Sequence, residues 1–259
     1  MNFKAILSTL ALTTTMLTFT HNTPVFASEQ NVAPAIQGTP TINLELKNTS
    51  RPFVQLVSNV VYAQVPDRGY TNKPLTMHLV IPQDKKPHPV ILYINGGGFI
   101  NANKDGYMQQ WLDLAEHGYV VASMTYRVAP TSTFPAPLED VKSAVRFLRA
   151  NAEKFHIDAK HIGVFGGKDG GINANPEGAK AANPLIYISK KTAPFLLMHG
   201  DADFLVSPSQ TELLREELAK HNIEATRYLV KGAAHGGPYW VQPEIMDIVI
   251  AFYDKHLKK

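Results

Sequence analysis

The sequence predicts an α/β fold in which a mostly parallel sheet is covered by helices on both faces. Nearly continuous apolar runs, such as PVILYI at 89–94, are typical of strands buried on both faces. Amphipathic segments alternate with these runs along the chain, and this alternation is typical of parallel sheets. The 259 residues are 44% hydrophobic and 18% charged, which is enough apolar material for one sizeable core.

The first 27 residues differ in composition from the rest of the chain. Lys4 provides a basic start, a threonine-rich apolar stretch follows, and VFA at 25–27 forms a cleavage site. This pattern predicts a secretory signal peptide over 1–27 rather than a membrane anchor, because the apolar stretch is short. A loose, polar leader is expected over 28–50 and the folded domain over 51–259. We therefore expect a secreted or periplasmic protein without stable membrane insertion once the signal peptide is removed.

The first half of the domain contains four predicted strands and one predicted helix. Alternating apolar and polar residues predict strands at 53–65 and 75–81, joined through the turn signals PDRG and NKP. Continuous apolar runs predict buried strands at 89–94 and 119–126. Between these two, YMQQWLDLAEHG at 107–118 predicts a helix that ends at its glycine.

The second half continues the alternation of helices and strands. An amphipathic helix is predicted at 138–155, because apolar residues recur on one of its faces. The later elements are predicted in this order: strands at 161–165 and 194–200, a helix at 209–221, a strand at 225–230 and a helix at 243–257. The segment 166–193 has no convincing strand, so the alternation is interrupted there.

Three features that can carry chemistry each follow a predicted strand. NGGGF at 95–99 can point backbone N–H groups at a ligand, as an oxyanion hole requires, or can form a plain tight turn. Asp201 and Asp203 follow the strand at 194–200, at the edge where ligands bind in open α/β sheets. One of these carboxylates can orient an imidazole, while capping of the next helix is the better interpretation for Asp201. His235, in the small-residue loop KGAAHGG, can reach into a site or be an ordinary surface histidine.

The chain order of these features, a glycine loop, an acid and then a histidine, is the order expected of an α/β hydrolase, where the triad runs serine, acid, histidine. The stretches YINGGGF, SMTYRVAPTSTFPAPLED, PFLLMHGDADFLVSPSQ and RYLVKGAAHGG resemble the α/β-hydrolase esterases of the hormone-sensitive-lipase and BD-FAE (feruloyl-esterase-like) group. The resemblance covers most of 51–259. It implies a three-layer α/β-hydrolase fold and a small-molecule ester as substrate.

The resemblance also implies roles for individual residues. Gly97 and Gly98 match the oxyanion-hole glycines, Asp203 matches the acid of the catalytic triad, and His235 matches its base. Asn95 stands where many relatives have a histidine. The resemblance implies no cofactor and no metal.

The nucleophile of the family is missing from this chain. In the family, the strand that ends at Phe165 leads into G-x-S-x-G, but here GGKDGG places Lys168 at the serine position. Only 167–193 separate this strand from the acid-bearing strand, and 175–194 resembles the family's sequence just before the latter. We therefore expect an internal deletion that removes the elbow helix and one central strand. Alternatively, GGKDGG belongs to the downstream side of the junction, and neither alignment has a serine at the nucleophile position.

Lys168 cannot replace the serine. The lysine amine is protonated to an ammonium group near neutral pH and is then not nucleophilic. Unprotonated lysine amines form Schiff bases rather than acyl-enzymes. The remaining serines lie in the leader, in strands, in helices or in other turns. Ser207 is the nearest in sequence to Asp203, and it is predicted to cap a helix.

The expected deletion changes the predicted sheet. Loss of a central strand leaves two strand edges with unpaired N–H and C=O groups unless the gap closes. We therefore expect the strand at 161–165 to pair directly with the strand at 194–200, with a short helix near 176–182 in the connection. The packing lost with the elbow helix is expected to expose apolar surface and to leave the stability low.

Composition and motifs argue against several other functions. The net charge of +3, with scattered Lys and Arg, predicts no nucleic-acid partner. The glycine stretch does not match a Walker pattern, because Ile162 and Asp169 occupy positions that require Gly and Ser or Thr. The ten histidines are scattered and form no H-E-x-x-H motif, so no metal site is predicted, and without cysteine no disulfide can form.

Two functions are consistent with these features. The first is a secreted carboxylic-ester hydrolase of the serine esterase or lipase type, whose Ser-His-Asp acyl transfer is impaired or lost because the elbow serine is absent. The second is a non-catalytic remnant of the α/β-hydrolase fold, or a pseudoenzyme that binds a small molecule.

Overall fold

The computed structural model describes five parts of the chain, residues 43–47, 50–67, 69–98, 100–166 and 180–258. The predicted signal peptide, most of the predicted leader and the elbow position Lys168 lie outside the described residues. The chain divides into two compact units, Met1–Arg51 and Pro52–Lys259. The described residues of the first unit contain no helix or strand, so every element below belongs to the second. None of the helices in the described part has the length and apolar composition needed to span a bilayer.

The elements are numbered here in chain order. The strands are β1 (Val54–Asp67), β2 (Tyr70–Pro82), β3 (His88–Ile94), β4 (Val120–Met124), β5 (Ile157–Gly166), β6 (Phe195–Gly200) and β7 (Ala225–Val230). The α-helices are α1 (Met108–Glu116), α2 (Ala136–Ala150), α3 (Ser209–Lys220) and α4 (Pro243–Leu257). Short 3-10 helices lie at Pro184–Tyr187 and Pro238–Val241.

The strands form two sheets. In the five-stranded sheet the order is β1-β2-β4-β3-β5, and β3 is parallel to both β4 and β5. The strands β1 and β2 form antiparallel pairs, β1 with β2 and β2 with β4. The second sheet contains β6 and β7, which are parallel, with Phe195 opposite Ala225 and Gly200 opposite Val230. This arrangement confirms the predicted α/β class.

Helices cover both faces of the five-stranded sheet. On one face, α2 packs its fully buried Leu148 into the cluster that contains Leu92 of β3. On the other face, Trp111 of α1 and Tyr253 of α4 pack into the cluster that contains Ile91. Adjacent residues of β3 therefore point into different cores, which explains its continuous apolar sequence.

The predicted pairing of the strand at 161–165 with the strand at 194–200 is wrong. Among the described residues, β5 pairs only with β3 and β6 only with β7, so each has a second edge without a described partner strand. Helix α4 contacts residues on both sides of this gap. Its Tyr253 donates a hydrogen bond to Val164 O of β5 at 2.9 Å, and its Lys255 Nζ donates to Glu224 Oε1, directly before β7, at 2.6 Å. Met198 of β6 packs against the core that contains Tyr253.

Two predicted helices differ from the structure in extent. The helix predicted at 138–155 ends at Ala150, where Asn151 Nδ2 donates to Phe147 O at 2.8 Å and closes the last turn. His156, with a left-handed φ of 54°, then redirects the chain into β5. Of the helix predicted near 176–182, residues 180–182 are helical and the remainder lies outside the described residues.

Candidate active site

Asp203 lies on the turn after β6, and only 4% of its side chain is exposed. Its Oδ1 accepts hydrogen bonds from the backbone N–H groups of Leu205 and Val206, both at 2.9 Å. Its Oδ2 faces two imidazoles, with Nδ1 of His235 at 2.9 Å and Nε2 of His199 at 3.1 Å. The turn therefore holds one carboxylate oxygen and leaves the other to orient histidines.

These hydrogen bonds keep the Asp203 carboxylate ionised. Burial alone would raise its pKa, but the N–H groups of Val206 and Leu205 and the ring of His235 outweigh burial and lower the pKa to about 2. An ionised carboxylate can only accept hydrogen bonds. Both imidazoles therefore donate an N–H to Asp203.

His235 lies on the small-residue loop that follows β7. Because its Nδ1 donates to Asp203, its Nε2 presents a lone pair. The side chain is 32% exposed, and no described residue forms a hydrogen bond with Nε2. A Cβ at Gly200 would lie 2.0 Å from Ala233 O, so this loop can approach the end of β6 only because residue 200 is glycine.

His199 belongs to this site although the sequence patterns did not single it out. It is buried, its Nε2 also lies 3.0 Å from Val206 O, and its Nδ1 lies 3.3 Å from Thr211 Oγ1. Arg227 Nε donates to the same hydroxyl at 3.0 Å. Both ring nitrogens of His199 therefore have partners within the protein, and His199 helps to hold the Asp203 carboxylate in place. Its place at the end of β6, two residues before the first aspartate of HGDAD, is the signal that could have identified it.

The glycine loop follows β3, and Gly97 and Gly98 lie in a tight turn. The carbonyl of Gly97 accepts hydrogen bonds from Ile100 N at 3.1 Å and Asn101 N at 3.0 Å. A Cβ at Gly97 would lie 2.1 Å from Asn101 O, and Gly98 has a φ of +61°. The turn therefore requires glycine, while the oxyanion role of these two residues stays a prediction.

Asn95, the departure from the family at the start of this loop, has a structural role. It is buried, its Nδ2 donates to Ser123 Oγ at 3.1 Å, and its carbonyl accepts from Tyr126 Oη at 2.7 Å. Ser123 Oγ in turn donates to Lys104 O at 2.8 Å. The amide therefore ties the base of the glycine loop to the neighbouring strand β4 and to the segment before α1.

The segment before α1 also contacts the loop of His235. Tyr107 has a left-handed φ of 62°, and its hydroxyl lies 3.0 Å from the position of a Cβ on Gly236. Gln110 Nε2 donates to Trp240 O at 2.5 Å, and Trp240 Nε1 donates to Ala234 O at 3.1 Å. These contacts place the segment that follows the glycine loop against the residues that flank the imidazole.

The helix cap predicted for Asp201 is wrong. Asp201 Oδ1 accepts the Gly232 N–H at 2.6 Å, so this acid joins the turns that follow β6 and β7. The Ser207 hydroxyl lies 2.9 Å from Ser209 Oγ and accepts the N–H of Ser209, the first residue of α3, at 3.4 Å, although Pro208 occupies the N-cap position itself. Asp201 is held by the neighbouring strand's turn because parallel strands end at the same edge of their sheet.

The site lacks a hydroxyl nucleophile among the described residues. No described serine lies within hydrogen-bonding distance of His235, and the undescribed segment 167–179 contains no serine in its sequence. Lys168 falls in that segment. Within the described part of the chain, no group of three or more metal-ligating side chains is assembled.

The family model described as BD-FAE matches this chain in two pieces. The first match covers residues 77–175 and the second covers 169–218, and together they span more than half of the 259 residues. The two matches overlap at 169–175, next to the position where the sequence predicts a deletion.

The chain is also similar to a curated esterase and, in its fold, to solved structures. The chain is 25% identical over 216 residues to Esterase LipC of Mycobacterium tuberculosis, covering 58% of this chain and 53% of LipC, so it spans about half the length of this relative. A truncated form of a carbohydrate esterase from gut microbiota has a TM-score of 0.68 at 20% identity and covers 82% of this chain and 99% of its own. MGS-M1, an alpha/beta hydrolase enzyme from a Medee basin deep-sea metagenome library, has a TM-score of 0.62 at 20% identity, with coverages of 80% and 99%. The fold is therefore that of the α/β hydrolases.

Proposed function

Because the chain belongs to the BD-FAE family of α/β-hydrolase esterases, we propose that it binds small-molecule carboxylic esters without the serine chemistry of the family. The observation that carries this proposal is the buried Asp203, which orients the exposed imidazole of His235 while no serine hydroxyl of the described residues accompanies it. The proposal that the protein is exported rests on the signal peptide predicted at 1–27.

The retained residues provide the acid and the base of a catalytic triad. In a complete triad the serine attacks the ester, the imidazole takes its proton, the aspartate holds the imidazole, and backbone N–H groups stabilise the oxyanion. In this proposal, His235 is the imidazole that takes the proton, Asp203 is the aspartate that holds it, and Gly97 and Gly98 contribute the N–H groups. Loss of the serine in subtilisin lowers kcat about a million-fold, so ordinary alkyl esters should be cleaved far below enzyme rates.

An internal deletion accounts for the missing serine. Two separate matches to one family model, overlapping in the chain, are expected when the chain lacks sequence that lies between them in the family. The LipC alignment is 216 residues long, but the 58% of this chain that it contains amounts to fewer than 216 residues. Part of LipC within the alignment therefore has no counterpart in this chain. The separate β5 edge and β6 edge are consistent with a strand missing between them.

Two measurements test the absence of serine chemistry. The full chain is incubated with a fluorophosphonate, and hydrolysis of ethyl butyrate is followed in a pH-stat, with His235→Ala as the control variant. We expect no covalent serine adduct, and hydrolysis at the rate of the control. Stoichiometric labelling of a serine, together with butyrate hydrolysis that disappears in His235→Ala, would show an intact esterase.

A remnant that binds no ester is the alternative, and the missing serine favours it equally. Titration with a non-hydrolysable ketone analogue of an ester distinguishes the two, with the His235 ring resonances as the readout. Saturable shifts at His235 support ester binding, and their absence supports the remnant.

A further inference from the structure

We infer that His235 is itself a nucleophile, taking the acyl group of activated aryl esters onto Nε2 and passing it to water. This activity rests on the proposed function, because it requires that no serine hydroxyl competes for the ester. It gives the site a substrate class of its own, namely esters whose alcohol part is a weakly basic phenol.

The hydrogen bond to Asp203 prepares His235 for this role. The carboxylate oxygen lies 2.9 Å from Nδ1, which fixes the proton there and leaves the lone pair on Nε2. In a complete serine triad that lone pair accepts the serine hydroxyl. Here no described residue occupies it, so it is available to attack a carbonyl carbon.

Only one of the two imidazoles on Asp203 can meet a ligand. The His199 side chain is 7% exposed, and Val206 O, Asp203 and Thr211 occupy its two nitrogens. The His235 side chain is 32% exposed, and its neighbours in the sequence, Ala234 and Gly236, are small. The buried imidazole therefore supports the acid, and the exposed one is free to react.

The reaction balances with water as the second reactant. The Nε2 lone pair forms a bond to the acyl carbon, and the bond from that carbon to the aryl oxygen breaks, so the aryl oxide leaves with the electron pair. The resulting N-acylimidazolium keeps its Nδ1 proton on the hydrogen bond to Asp203. Water then attacks the acyl carbon, the carboxylic acid leaves, Nε2 recovers its lone pair, and the proton released from water is taken up by the aryl oxide.

The basicity of the leaving group restricts the substrates. A tetrahedral adduct expels its weaker base, and imidazole, with a conjugate-acid pKa of about 6.5, is a weaker base than ordinary phenoxide at about 10. A nitro group makes the phenoxide a better leaving group, so the adduct can proceed forward. An alkoxide is a far stronger base, so an alkyl ester adduct returns to the starting ester.

The test uses p-nitrophenyl acetate and three variants of the full chain. His235→Gln removes the nucleophile. Asp203→Asn keeps an oxygen for the Leu205 and Val206 N–H groups but turns an NH₂ group toward the ring. This NH₂ can only donate, so the ring proton moves to Nε2 and the lone pair is lost; the same change in a serine protease lowers kcat about 10⁴-fold.

His161 provides the matched control. Its Nδ1 lies 2.7 Å from Asp158 Oδ2, and its side chain is 33% exposed, so it is another aspartate-paired histidine of similar exposure. Its aspartate is also 33% exposed, whereas Asp203 is buried. We expect His161→Gln to retain the wild-type rate, while His235→Gln and Asp203→Asn fall to the background rate of the buffer.

A chemical label gives a readout that does not depend on turnover. Diethyl pyrocarbonate acylates the unprotonated nitrogen of imidazole, and mass spectrometry locates the product. We expect His235 to be modified before His161 in the wild type, and this preference to disappear in Asp203→Asn.

Each outcome separates this inference from the proposed function. If the fluorophosphonate labels no serine and His235→Gln retains the wild-type rate on p-nitrophenyl acetate, the inference is wrong and the proposed function stands. If a serine is labelled stoichiometrically, both fail. Equal modification of His161 and His235 by diethyl pyrocarbonate also contradicts the inference.

Discussion

The Asp203 carboxylate accepts hydrogen bonds from backbone N–H groups on one oxygen and from imidazoles on the other. The N–H groups of Leu205 and Val206 fix Oδ1 to the turn, and the imidazoles of His199 and His235 donate to Oδ2. Each of these donors stabilises the ionised form. The acid is therefore held in place even when no ligand occupies the site.

The low pKa of Asp203 makes the stability of the protein sensitive to acid. A carboxyl group whose folded-state pKa lies near 2, below its ordinary value of 3.8, stabilises the fold fully above pH 4 and loses this effect as the pH falls toward 2. Asp203→Asn lacks the titration, so its difference in unfolding free energy from the wild type should shrink over this interval. Urea unfolding of both proteins at a series of pH values measures the difference, and a constant difference would contradict the assignment.

Among the elements, helix α4 links β5 to the segment that enters β7, because its Tyr253 bonds to β5 and its Lys255 bonds to Glu224, directly before β7. Tyr253 is buried in the core shared with Ile91 of β3, and Met198 of β6 packs against that core. The Tyr253 hydroxyl donates to Val164 O at 2.9 Å. Val164 belongs to β5, a strand with only one described neighbour. The helix therefore provides the cohesion that direct pairing of β5 and β6 does not.

Removing the Tyr253 hydroxyl should weaken this cohesion without leaving a large cavity. Tyr253→Phe removes the donor for Val164 O and should lower the free energy of unfolding by about 1 kcal/mol. Tyr70→Phe is the matched control, because Tyr70 is exposed and its loss of a hydroxyl should change stability by less than about 0.5 kcal/mol. Urea denaturation gives both values. If both substitutions change the free energy of unfolding equally, the hydrogen bond of Tyr253 does not account for the stabilising role of α4.

At the scale of the whole molecule, large apolar side chains are exposed on β5 and in the segments that precede and follow β6. They comprise Val164 on β5, Ile186 and Tyr187 in the 3-10 helix before β6, and Phe204 and Leu205 after β6. Contiguous exposed apolar groups mark a place that another surface normally covers, or a liability to aggregate. Exposure of apolar surface through loss of the elbow helix stays a prediction, because side chains elsewhere in the chain, such as Phe53, are exposed as well.

Replacing the most exposed of these residues should improve solubility. Phe204 is 95% exposed, so the double change Phe204→Ser and Leu205→Ser should alter the unfolding free energy by less than about 0.5 kcal/mol. Binding of the dye ANS and light scattering on warming should both decrease. Phe53→Ser is the control, since Phe53 is exposed but lies outside this set. A decrease of the same size in the control would show that the set has no special role.

Features that depend on local sequence patterns were predicted correctly, whereas features that depend on contacts between particular residues or strands were not. Strands β3 and β4 were predictable because burial on both faces leaves a continuous apolar run. The failure of β5 to pair with β6 was not predictable, because hydrophobic periodicity identifies strands but does not encode which strands become neighbours. The end of α2 depended on one capping amide, that of Asn151, beyond which the helical periodicity still continues.

The residues of the candidate site also divide into those that the sequence predicted and those that it did not. Asp203 and His235 were identified because family resemblance preserves their motifs, and the structure places them 2.9 Å apart. His199 was missed and Asp201 was misassigned, because a single histidine or aspartate near a strand end does not encode which neighbouring turn it will meet.

The acid and the base both belong to one local unit, β6–α3–β7 and the loops that follow its strands, whereas β5 lies in the other sheet. A loss of sequence between the two sheets would leave that local unit undisturbed. Genome surveys that recognise hydrolases by an aspartate and a histidine in this order would therefore retrieve this chain without testing whether a nucleophile accompanies them.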